Sequence, residues 1–561
     1  MLEAATFADI RPEIPTRSAL LAEHDALDAQ FAAARSYEDW ERALLAWDRI
    51  NRRNATWMPM VRLRFQQNTG DADAAAAGEA LNALEPELAD RDAAHKRALL
   101  ASPQRAALEA TYGVQIFALW ACDVAAVDER ILGALAEESQ VEDAYVAELA
   151  GAALSYAGRT YTLSGIAAFS EDPDRAVREG ATRAKWAWFE ANSAKLDAQY
   201  AELVRLRTSM ARTLGYETFV DLGYERMHRT DYDRADVARF RDAIVEHVVP
   251  LCARLAERQA RSLGIERLMP WDLDVFDAQP SPRPPAGDAL VEAGVRALHA
   301  IDPRLGAFAR MMRERDLLDL PLRDGKAGGG FCTGFAEYGL PFVFANVNGT
   351  THDVNVLVHE LGHAYQQYSS REQPLADYLW PTYDAAEIDS MGMEFLVRPH
   401  LEEFFGDGAE RYRRKHLAAS LNLLAYGSAV DHFQHLIYER PEASPRERHA
   451  FWREMERRYL PWRVSGGIAH LESGGFWQHQ RHIYKLPFYY IDYVLAMTCA
   501  MQIWTASLDD PADAFARYDA LCARGGSLPF GGLVASAGLR SPFEPQTLRD
   551  IAKRGEAELF A

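Results

Sequence analysis

Leu357-Val358-His359-Glu360-Leu361-Gly362-His363-Ala364 sets two histidines four residues apart, with a glutamate directly after the first. In a helix, residues four apart project from one face, so both imidazoles can reach a single metal ion. Glu360 flanks them, where it can take a proton from metal-bound water. The surrounding residues favour the helix. Val354, Leu357, Val358, Leu361 and Tyr365 form an apolar stripe from Val354 to Tyr368, which stops at Ser369-Ser370 ahead of Pro374. Just upstream the pattern changes. Between Ala327 and Thr351 the only charge is Glu337, and Leu340 to Asn348 has the aromatic and β-branched content of a strand. Asn348-Gly349-Thr350 reads as a turn, and Asp353 as a helix-start residue favoured by the dipole. The triple glycine at 328–330 lacks the Gly-Lys-Ser/Thr ending of a phosphate loop.

Of 16 histidines, 11 lie between His352 and His482, which shows where to search further. A tetrahedral catalytic zinc takes three protein ligands and keeps one place for water. The helix-like stretch Tyr383 to Leu396 offers Asp384, Glu387, Asp389 and Glu394. Glu387 and Glu394 are seven apart and share a face. Glu387 is the ligand candidate, and Glu394 the partner that would hydrogen-bond a ligand histidine. The other carboxylates stay open as surface groups. Hydroxide attack on a carbonyl also needs donors for the oxyanion. His482-Ile-Tyr-Lys-Leu-Pro-Phe-Tyr-Tyr-Ile-Asp-Tyr493 is dense in them: Tyr489 and Tyr493 share a helical face, while Tyr490 points elsewhere. His432 and His435 are a structural pair or a second metal pair lacking a further ligand. His416 has no partner pattern.

The rest of the chain reads as helix. Residues 18–36, 37–53, 92–112, 126–150, 182–210 and 233–262 carry apolar residues three or four apart, and Pro-rich 279–287 reads as a surface loop. The 561 residues hold 61 Lys plus Arg against 82 Asp plus Glu, a net charge of −21, which argues against nucleic acid as a partner. Five scattered cysteines without a CxxC pair point to a reducing compartment. Met1 to Pro15 lacks a signal-peptide pattern, and Tyr493 to Leu508 is too short and too polar to span a bilayer. A cytoplasmic protein with no membrane partner is expected.

Three separated motifs together resemble the oligoendopeptidase F and thimet oligopeptidase family of zinc metallopeptidases. They are Phe331-Cys332-Thr333 through Leu357–Ala364, Ala386-Glu387-Ile-Asp-Ser-Met-Gly-Met-Glu394-Phe-Leu396, and Pro487-Phe-Tyr-Tyr-Ile-Asp-Tyr493. The resemblance implies a mainly α fold with two lobes around a deep channel and a small β-sheet beside the HExxH helix. It implies an N-terminal helical lobe over 1–190 and a catalytic domain over 191–561. It implies one zinc ion on His359, His363 and Glu387, with Glu360 as general base on a zinc-bound water and Tyr493 stabilising the oxyanion. His482 and Tyr489 match the family's substrate-side residues, although Lys485-Leu486-Pro487 stands where thimet oligopeptidases are glycine-rich. The implied activity is endopeptidase cleavage of short oligopeptides. A dipeptidyl carboxypeptidase or carboxypeptidase on the same scaffold, or a catalytically silent peptide binder, remain as alternatives. Strand 340–348 would be the edge along which a peptide lies by main-chain hydrogen bonding.

Overall fold

The computed structural model describes residues 6–561; Met1 to Ala5, the start of the segment expected to lack a signal peptide, lie outside the described residues. Six helices come first: α1 (Arg17–Ala33), α2 (Tyr37–Gln67), α3 (Ala72–Leu100), α4 (Arg105–Tyr112), α5 (Val114–Ala126) and α6 (Leu132–Ala150). A short hairpin, β1 (Leu154–Tyr156) and β2 (Arg159–Tyr161), leads to the long α7 (Arg175–Thr213). The division expected at residue 190 falls inside α7, which runs through it unbroken. Helices α8 (Phe219–Arg226), α9 (Arg234–His247), α10 (Val249–Ser262), α11 (Asp288–Ile301) and α12 (Pro303–Glu314) follow. Next comes a sheet of β3 (Leu318–Pro321), β4 (Phe331–Phe335) and β5 (Leu340–Val347), and then α13 (His352–Ser369) and α14 (Tyr383–Val397). The chain closes with α15 (Ala409–Glu439), α16 (Pro445–Tyr459), α17 (Tyr490–Asp509), α18 (Pro511–Arg524) and α19 (Pro545–Phe560). The mainly helical fold with a small sheet beside the HExxH helix is as expected. No described helix is long and apolar enough to cross a membrane.

Prolines explain where helices depart from the expected spans. The helix expected over 92–112 breaks between Leu100 and Arg105, at Pro103. The one expected over 233–262 breaks after His247, where Pro250 is the second residue of α10. Proline has no N–H and clashes with the carbonyl four residues back. Pro59 acts differently. It sits inside α2, which extends to Gln67, well past the expected residue 53. The Ala55 carbonyl, deprived of its helical donor, accepts the Ala336 N–H at 3.4 Å instead. One residue on, Thr56 Oγ1 accepts the Glu337 N–H at 3.0 Å. The helix is thereby stitched to the turn between β4 and β5. A second tie is Tyr378, which inserts between the early helices: its hydroxyl accepts from Ile116 N at 3.0 Å and donates to Tyr112 O at 2.8 Å.

The sheet corrects one expectation. Its order is β3-β5-β4, with β3 parallel and β4 antiparallel to β5, so the strand near 340–348 is central and β4 is an edge. Leu340 to Ala345 are all buried. A continuous apolar run without alternation belongs to a strand covered on both faces. Asp353 then does more than favour the helix dipole. Its carboxylate accepts from Asn348 N at 3.0 Å and Gly349 N at 2.5 Å, fixing the turn that delivers β5 into α13.

Candidate metal centre

Gly362 allows the crossing on which the site depends. A Cβ there would lie 2.7 Å from the Asp389 carbonyl and Ser390 Cα, so only glycine lets α13 and α14 approach this closely. The approach brings Glu387 onto the two histidines. His359 Nε2 lies 3.4 Å and His363 Nε2 3.8 Å from Glu387 Oε2. Ligands about 2.0–2.2 Å from a tetrahedral zinc stand roughly 3.3–3.6 Å apart, so this donor set fits the ion in type and in spacing. It is the one such group of His, Cys, Asp and Glu among the described residues.

Each donor is oriented from behind. Glu394 Oε1 accepts from His359 Nδ1 at 2.8 Å, which keeps a proton on Nδ1 and turns Nε2 toward Glu387. The other oxygen of Glu394 bonds His416 Nε2, also at 2.8 Å. Glu387 accepts from Tyr489 Oη at 2.7 Å and from Ser390 Oγ at 3.0 Å. The Trp380 ring packs 5.4 Å from His363. Glu360 is buried, and its Oε2 has no hydrogen-bond partner.

The charges ask for a cation. Burial opposes ionisation of Glu387, yet His359, His363 and Tyr489 outweigh it and hold the carboxyl down at about 2. Burial likewise opposes ionisation of Glu394, but His359 and His416 hold it at about 2. His363 is pushed down to about 4 by burial and so is neutral. Burial also works against charge on His359, but the same two carboxylates hold it well above its ordinary value. Burial pushes Glu360 up to about 7.

The tyrosine segment covers this group. Tyr489, at the start of α17, stacks parallel to His482 with ring centres 5.7 Å apart, and Tyr493 stands edge-on to both. Gln480 uses its carbonyl for Tyr426 and its amide for His482 Nδ1, both within 2.8 Å. His482 is pushed down to about 4 by burial and by Arg481, so the neutral ring carries its proton on Nε2 and is a donor. Burial pushes the Tyr493 phenol up, so it too stays a donor. Tyr490 does not point away as expected: its ring stands edge-on to His482 at 5.2 Å and to Tyr426 at 5.5 Å. Behind the segment, Phe488 has a left-handed φ of 69°. Its N–H donates to Gln434 Oε1 at 3.0 Å, and its carbonyl accepts from buried Arg229 at 2.6 Å. Arg229 also pairs with Asp492 at 2.8 Å.

Other candidates lie elsewhere. Asp384 is buried against Thr382 and Tyr232, and Asp389 against Cys522. His432 bonds Tyr459 and His435 bonds Tyr224, so they form no metal pair. Four of the five free cysteines are buried; Cys332, on β4, is half-buried. His416, Trp380, Gln434 and Arg229 carry no local spacing that marks them in the sequence: Trp380 lies in the link between α13 and α14, and the other three come from other segments.

A helical unit holding a His-His-Glu group with a buried glutamate beside it defines a metallopeptidase-like centre. The family model for peptidase family M3 matches residues 168–553, and that for the peptidase M3 N-terminal domain matches residues 7–127. The chain belongs to peptidase family M3. A crystal structure described as an oligoendopeptidase F is 40% identical, covers 100% of this chain and 99% of its own, and superposes with a TM-score of 0.93. PZ peptidase A with an inhibitor is 37% identical over 99% of both chains, with a TM-score of 0.93. An oligoendopeptidase F homologue of Mycoplasma pneumoniae is 26% identical over 265 residues, 44% of this chain and 40% of that relative's length.

Proposed function

We propose that this protein is a cytoplasmic zinc endopeptidase of short oligopeptides, with His359, His363 and Glu387 as the zinc ligands. The convergence of two histidine Nε2 atoms on one Glu387 oxygen, with Glu360 buried beside them, carries the proposal. When bound, zinc polarises the scissile carbonyl and makes water a usable nucleophile near neutral pH. The chain's own residues do the rest. Glu360, whose Oε2 is uncommitted, takes the proton from the attacking water and returns it to the leaving amine. Tyr493 donates a hydrogen bond to the developing oxyanion, and Nε2–H of His482 supplies a second donor on the same side. Tyr489 holds Glu387 in place and presents its ring to substrate. The free edge of β4, not β5, carries the peptide main chain by strand addition.

The test combines zinc analysis with cleavage of an N- and C-blocked, internally quenched oligopeptide. Internal cleavage with about one zinc per chain is expected, and removal of only terminal residues from unblocked peptides would move the reading to an exopeptidase. Glu360→Gln should keep zinc and lose turnover. Substantial remaining activity would refute the base assignment, and a protein that neither holds zinc nor cleaves would be a silent binder.

A further inference from the structure

A cavity of about 230 Å³ is bordered by the same Trp380 whose ring packs against His363. Its walls are Thr333 and Gly334 of β4, Gln367, Leu379 and Trp380, and α2 closes it with Ala55. Gln367 stands one helical turn beyond His363 on the same face of α13. The cavity therefore touches the edge strand directly and is joined to the metal group through the Trp380 ring.

We infer that this cavity seats one large apolar side chain of the peptide substrate, of the Phe, Leu or Met kind. The inference rests on the oligopeptidase reading. Three observations carry it. First, the position is that of a substrate side chain. A Cβ on Gly330, just before β4, would lie 3.7 Å from Glu360 Oε1, so the reacting bond belongs near the start of β4. A strand rises about 3.3 Å per residue, so a peptide added along β4 brings a residue two to four positions from that bond to Thr333–Gly334. Second, the size suits: an apolar cavity of about 150 Å³ already accepts benzene, and this one is larger. Third, the one cation at the rim is engaged. Arg371 lies over the Tyr368 ring at 3.9 Å and donates to the Tyr368 carbonyl, which leaves an apolar interior for the guest.

The wall contributed by α2 is tied in place at Pro59, because the Ala55 carbonyl that the proline frees is bonded to the β4–β5 turn. Ala55 itself is exposed and can be enlarged without disturbing the core.

The test uses blocked peptides carrying Gly, Ala, Leu, Phe or Glu in turn at each of the four positions on either side of the cleaved bond. Cleavage is measured with the wild type, and binding by calorimetry with Glu360→Gln in the presence of zinc. At one position Phe or Leu should bind about ten- to a hundredfold tighter than Gly, the range for burying one large side chain. Ala55→Phe, which fills the cavity, should cut that preference to within about twofold. Ala55→Ser, which adds little volume, should retain it. No apolar preference at any position, a preference that survives Ala55→Phe, or a preference for Glu through Arg371 would each overturn the inference. Apolar binding preference without cleavage by the wild type would sustain the cavity assignment and count against the peptidase reading instead.

Discussion

Glu394 offers the sharpest test of how the metal group is built. Its two oxygens each hold a histidine at 2.8 Å, His359 on one side and His416 on the other, and its side chain is only 11% exposed. Replacing it with Ala removes both bonds and a buried negative charge. His359 then loses the acceptor that fixes its proton on Nδ1. Partners of this kind are worth about 10- to 100-fold in metal affinity, or about 1.4–2.7 kcal/mol. Glu394→Gln separates geometry from charge. Its carbonyl can accept from His359, while its NH₂ faces His416, which satisfies both rings once His416 moves its proton to Nδ1. The expected order of zinc affinity is therefore wild type, then Gln about tenfold weaker, then Ala about a hundredfold weaker. The assay is competition for zinc against a chromophoric chelator, with circular dichroism to confirm that each variant is folded. Equal affinity of all three folded proteins would refute the claim that Glu394 orients the ligand. A Gln variant as weak as Ala would show that the charge carries the whole effect and would refute the tenfold assigned to geometry.

Tyr493→Phe should lower kcat by about a hundredfold with little change in KM, as for loss of one oxyanion donor; an unchanged kcat removes Tyr493 from that role. Gly362→Ala should destabilise the metal-free protein by about 1–3 kcal/mol in urea, because the atoms its Cβ would meet at 2.7 Å are backbone and cannot swing aside; unchanged stability would show that the α13–α14 crossing has slack.

Much of the metal group is written locally. His359 and His363 are one turn apart, and Glu387 and Glu394 two turns apart, so helical spacing alone brings each pair to one face. What spacing cannot supply is how the two helices meet. His416 lies 22 residues beyond Glu394 on α15, and Arg229 lies 259 residues before the Phe488 carbonyl it holds. Such pairings arise from packing and leave no periodic trace. The strand over 340–347 is legible in its aromatic and β-branched content, and the unbroken apolar run from Leu340 to Ala345 is the mark of its central place. Pro103, Pro250 and Pro59 show the ambiguity of a single residue type. The first two end helices, while the third is carried inside one because the turn of the neighbouring hairpin supplies a donor for the stranded carbonyl.

Phe488 has a bearing on how the site meets its substrate. A non-glycine residue at a left-handed φ costs on the order of 1–3 kcal/mol, and follows Pro487, whose own backbone is stiff. Gln434 and Arg229 offset that cost within the folded chain, before any peptide arrives. A tyrosine arm that ordered itself only on binding would be competent for a fraction of the time, and apparent affinity would fall by that fraction. Here the arm stands ready in the resting protein. Weakening its backbone clamp should therefore show first as weaker substrate binding and only later as slower chemistry.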